Sequence, residues 1–74
     1  MATVDAHITG TVWTVDVSVG DVVEAGDVVA VLESMKMEMP VESELTGTVA
    51  EVLCTPGQAV EEGQPLLLLN QTIA

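Results

Sequence analysis

Positive charge is almost absent from this chain. One lysine, no arginine and one histidine stand against twelve acidic residues, giving a formal net charge of −11 over 74 residues. Phosphate backbones are held by clustered cations, so nucleic acid is excluded as an expected partner. An anionic membrane surface is disfavoured for the same reason. Such acidity describes a self-repelling, soluble surface and a monomer in isolation, or a surface read by basic patches on partner proteins.

Aromatic residues are nearly missing too: one Trp, no Tyr and no Phe. The core must therefore be aliphatic, and a large cleft with its own substrate pocket is hard to build from so little material. A single cysteine, Cys54, rules out an internal disulfide and fits a reducing compartment. No apolar run approaches the roughly 18–20 residues of a membrane span. The opening residues Met1-Ala2-Thr3-Val4-Asp5 carry neither a basic nor an apolar leader segment, so a cytoplasmic location is the expectation.

What the chain does have is aliphatic mass and a repeat. Apolar residues make up 49%, fourteen of them Val, which is enough for one small core and excludes disorder. Residues 10–32 and 47–69 align without a gap at an offset of 37, with nine of 23 positions identical. These are Gly10/Gly47, Thr11/Thr48, Val12/Val49, Val15/Val52, Gly20/Gly57, Val23/Val60, Glu24/Glu61, Gly26/Gly63 and Leu32/Leu69. Each half is a Val-rich run, a Gly, five residues, a second Gly and another apolar run. Val-rich runs favour strands, and Gly-Asp or Gly-Gln pairs punctuate them as tight turns. No helical spacing appears.

Two halves that cannot cover their own apolar faces should pack on each other. The expectation is an all-β single domain over 1–74, a flattened barrel or sandwich of two small antiparallel sheets with pseudo-two-fold symmetry. Val12, Val15, Val23, Leu32, Val49, Val52, Val60 and Leu69 are its candidate core.

The central segment Glu33–Thr46 reads as lying outside the repeat and as joining the halves. A strand leaving at Glu33 and returning near Glu38 must turn over Ser34-Met35-Lys36-Met37. That sets the one lysine at a hairpin tip, with the chain ends expected at the opposite pole. A lone exposed lysine is usually only a solubilising residue. Here it is the single ε-amine a modifying enzyme would find. Met35 and Met37 flank it symmetrically, two large apolar side chains with no core to enter.

Glu33-Ser34-Met35-Lys36-Met37, midway between the half-repeats, resembles the biotinyl/lipoyl attachment domain family. The resemblance runs from about Thr9 to Asn70 and is closest to single-domain biotin attachment proteins and biotin carboxyl carrier proteins. Met-Lys-Met is the family's biotin pattern, whereas lipoyl members usually have Asp-Lys-Ala. Ser34 stands where Ala is commonest. The segment Ala6–Gly10 lacks the Pro-Met-Pro run of many carboxylase-linked members, and no thumb loop interrupts the first half.

The resemblance implies covalent biotin on Lys36, placed there by a biotin protein ligase. It implies recognition through Met35 and Met37, and a carboxyl group shuttled between biotin carboxylase and carboxyltransferase partners. The domain would be a non-catalytic carrier subunit of a biotin-dependent carboxylase or transcarboxylase, contributing tethering alone. A lipoyl carrier and an unmodified acidic interaction domain are the alternatives.

Other constellations have plainer readings. Met35, Met37 and Met39 alternate as a soft-metal site would, but Lys36 among them opposes a cation. His7 and Cys54 lack an orienting third residue and read as a rim histidine and a small buried thiol. Asp21, Asp27, Gln58 and Gln64 follow glycines and read as turn chemistry rather than calcium ligands. Trp13, whose repeat partner is Ala50, reads as a packing cap on one face.

Overall fold

A computed structural model describes residues 2–71. Among them are eight strands and no helix. The strands are β1 (Ala2–Asp5), β2 (Gly10–Val15), β3 (Val22–Val23), β4 (Val28–Ser34), β5 (Met37–Glu42), β6 (Gly47–Val52), β7 (Ala59–Val60) and β8 (Pro65–Gln71). They form two four-stranded antiparallel sheets, ordered β1-β8-β6-β3 and β5-β4-β2-β7. The all-β, two-sheet expectation holds.

The two-fold relation extends further than the nine identities. Backbone hydrogen bonds come in pairs separated by 37 residues: Gly20 N–H to Val49 O and Gly57 N–H to Val12 O, or Ala6 N–H to Gln64 O and Ser43 N–H to Asp27 O. The central segment is therefore not outside the repeat. Ala2 pairs with Leu69 as Met39 pairs with Leu32, so β1 is the equivalent of β5 at the same offset. Val4 and Val41 are both buried, as are Ala6 and Ser43. Thr46 Oγ1 accepts from Ala25 N–H at 3.3 Å, and Thr9 Oγ1 accepts from Glu62 N–H at 3.1 Å. The stretch Ala2–Thr9 was masked in the sequence because Thr3, Asp5, His7 and Ile8 differ from Pro40, Glu42, Glu44 and Leu45. What remains unrepeated is the bend between β4 and β5.

The turns behave as their composition suggests. Asp21 and Asp27 carboxylates accept from Ser18 and Glu24 N–H, each at 2.8 Å, and Gln58 and Gln64 carbonyls accept from Thr55 and Glu61 N–H, each at 3.1 Å. A side chain closing its own turn three residues back is the chemistry shared by Asp and Gln here.

Six of the eight core candidates are buried; Val15 and Val52 pack against the core only in part. Alternation hides four further core residues, Val29, Ala30, Leu66 and Leu67. Pairing slips between Val28 and Ala30, and between the partners of Pro65 and Leu67. A bulge there turns two consecutive side chains inward.

Gly10 and Gly47 mark close approaches between strands. A Cβ on Gly10 would sit 2.5 Å from the Glu33 carbonyl oxygen, and one on Gly47 2.5 Å from that of Asn70. Gly10 thus braces the strand that rises to the bend.

Candidate functional site

β4 and β5 pair through six residue couples, ending at Glu33↔Glu38 and Ser34↔Met37. Met35 and Lys36 alone remain for the turn. Both adopt positive φ, 51° and 64°. Two consecutive positive-φ residues make the hairpin turn whose twist matches the strands, usually supplied by Asn-Gly. Met and Lys each bear a Cβ that disfavours this conformation, at a cost of order 1–2 kcal/mol per residue. The long β4–β5 ladder holds the strained pair in place.

Lys36 is exposed, Met35 is 92% exposed and Met37 62%. The strained pair sits at an exposed tip rather than in the core. A two-residue bend extends no loop that would fold back over the amine. Pairing order then fixes what lies below. Glu33 and Glu38 face one another across the strands, with Thr11 beside Glu33 on β2. Like charges directly opposite are unfavourable, so this collar is a further local cost of the site. The next row, Val12, Leu32 and Met39, enters the core side, the first two fully.

The other candidates lie elsewhere. His7 is exposed and lines an open groove of about 830 Å³ between the β1 and β5 sides, with Asp5, Glu42, Glu44 and Glu62. Cys54 is 4% exposed and belongs to the core, and burial pushes its thiol pKa up. A buried, protonated thiol is a poor nucleophile. Cys54 does not line the groove that holds His7. Trp13 is 48% exposed, so about half of it is covered on the outer side of β2.

A model of the biotin/lipoyl family, described as biotin-requiring enzyme, matches residues 1–69. The chain belongs to this biotin/lipoyl attachment family. Within the family, it is 44% identical to a biotin/lipoyl attachment protein of Bacillus subtilis over 95% of this chain and 96% of that protein. It is 42% identical to the biotin carboxyl carrier protein of acetyl-CoA carboxylase from Pseudomonas aeruginosa, over 72% of this chain and 34% of that one. A solved single-chain, multi-domain long-chain acyl-CoA carboxylase contains the same fold, with a TM-score of 0.89 and 37% identity. That match covers 96% of this chain and 7% of the carboxylase. The family resemblance in the Met-Lys-Met segment and the fold thus agree with comparisons over nearly the whole chain.

Proposed function

We propose that this biotin/lipoyl family domain is a biotin carboxyl carrier whose prosthetic group is joined to Lys36. The observation that carries the reading is one exposed amine, the chain's single lysine, held in a strained two-residue turn at the end of a six-pair ladder. The residues present fit covalent attachment: an amide needs only an accessible amine, and no fold rearrangement is required to expose this one.

In the attachment step the Lys36 amine attacks the acyl carbon of biotinyl-adenylate. The acyl–phosphate bond breaks, AMP leaves, and the amine's proton is lost to the ligase site. Around the turn the chain supplies only the carboxylates Glu33 and Glu38, which as carboxylates are far too weakly basic to take a proton from an ammonium group, so the base belongs to the partner. Amide formation takes the formal charge from −11 to −12. Met35 and Met37 offer thioether surface to the biotin protein ligase.

Biotin, once attached, supplies a ureido nitrogen that carries a carboxyl group. The domain's own residues position and tether it, and after the attachment step none of them acts as acid, base or nucleophile. Tethering turns encounter with each partner into an effectively intramolecular event. The partners are a biotin carboxylase and a carboxyltransferase, the activities implied by the carboxylase relatives.

The name of the Bacillus relative, a biotin/lipoyl attachment protein, keeps a lipoyl carrier as the second reading. Protein produced with biotin, lipoate and both ligases decides. Intact mass and peptide mapping should find one biotinyl group on Lys36 and none in a Lys36→Arg variant. A lipoyl adduct, or labelling that survives the Arg change, overturns the proposal.

A further inference from the structure

We propose that Trp13 is a docking platform for the biotin bicycle carried by this chain's own Lys36. The inference rests on the carrier reading above and adds a second, non-covalent contact to it.

Trp13 is the chain's one aromatic residue. It lies on β2, in the same sheet as the hairpin and paired directly with β4. Pairing runs Val12↔Leu32 and Thr14↔Val31, leaving Trp13 opposite no β4 residue. That bulge recurs in β6, where Val49↔Leu69 and Glu51↔Leu68 leave Ala50 unopposed. The backbone device is common to both halves, yet only the half with the lysine fills it with an indole. Val12 is buried, whereas Trp13 is 48% exposed. Thr11 and Trp13, two residues apart on β2, both lie on the outward face, which leaves half of Trp13 open on the side of the sheet that Glu33 and Glu38 share.

The distances suit an arm swung back along the sheet. From the turn to the level of Trp13 is about four residues of β4, roughly 13 Å at about 3.3 Å per residue. A biotinyl-lysine arm has about eleven bonds between Cα and the bicycle, roughly 14 Å when extended. The path crosses the Thr11–Glu33–Glu38 row, all three exposed. Indole offers a flat apolar surface for the ring, and the two carboxylates offer acceptors to ureido N–H donors along the same face. The uncarboxylated ring would then rest against the carrier between visits to its partners.

The single Trp makes the test direct, because intrinsic fluorescence reports on this site alone. Unmodified and fully biotinylated protein are compared, with occupancy of Lys36 established beforehand by intact mass. Biotinylation should at least halve the acrylamide quenching constant of Trp13. Nuclear Overhauser contacts should join the indole to the bicycle protons. Biotinylated Trp13→Ala, with its fold verified by a urea transition, should bind streptavidin at least twofold faster than the parent, since its ring is no longer held. Equal quenching constants without indole–biotin contacts, or equal streptavidin rates, overturn the platform and leave the carrier reading intact. Absence of the biotinyl mass increment on Lys36 overturns both.

Discussion

Met35 holds a conformation its side chain does not favour. Asn tolerates positive φ far better than Met, because its short amide can bond locally. Met35→Asn should therefore stabilise the folded domain by about 0.5–1 kcal/mol, a rise in Tm of a few degrees for a domain of this size. Methionine's retention at that cost needs a reason outside folding, and 92% exposure puts its thioether where only a partner can use it. The same variant should be biotinylated several-fold more slowly by its ligase. Calorimetry and a timed mass assay on one sample check both halves. A melting gain with unchanged labelling would assign Met35 no part in recognition.

At the scale of strands, the hairpin depends on a close approach it shares with its counterpart in the other sheet. Gly10 underlies Glu33 and Gly47 underlies Asn70 at the same 2.5 Å for an added Cβ. Overpacking of this kind costs typically about 1–3 kcal/mol. Gly10→Ala and Gly47→Ala should lower the urea midpoint by similar amounts. They should differ in function: only Gly10→Ala displaces the strand that carries the bend, so only it should slow labelling of Lys36 under conditions where both variants are folded. The identities Gly10/Gly47 and Leu32/Leu69 made this framework legible before any coordinates, since two matched halves must pack on each other. The bend was legible as well, because a strand leaving at Glu33 had to return near Glu38, although Ser34 and Met37 proved to be paired strand residues and the turn itself only Met35-Lys36. Less visible was the pairing of β1 with β8 as a copy of β5 with β4, for Val4/Val41 and Thr9/Thr46 are too sparse to stand out among unlike neighbours. The bulges were hidden altogether. Strict alternation assigns Val29 and Ala30 to opposite faces, and pairing slips in three dimensions put both inside. The register break at Trp13 was hidden in the same way: nothing in the run Gly10–Val15 announces it.

For the molecule as a whole, charge is the dominant unbalanced term. A surface of 4458 Å² carries a net 11 negative charges, about 400 Å² for each, or a spacing of roughly 20 Å. That spacing is shorter than the screening length of about 30 Å at 0.01 M salt and well beyond the roughly 8 Å at 0.15 M. With one lysine available, almost none of this repulsion can be offset by ion pairing within the chain. Raising sodium chloride from about 0.01 M to about 0.2 M should therefore increase Tm by several degrees, with most of the gain complete once the screening length falls below the charge spacing. The collar beneath the bend should contribute more than its share, because Glu33 and Glu38 are adjacent across the ladder rather than spread over the surface. Glu38→Gln should raise Tm at 0.01 M and lose only part of that advantage at 0.2 M, because side chains directly opposite on the ladder, with Cβ atoms about 5 Å apart, lie within the screening length of roughly 7 Å that remains there. A Tm independent of salt in the parent, or a Glu38→Gln gain equal at both concentrations, would mean that packing rather than repulsion sets the limit on this fold.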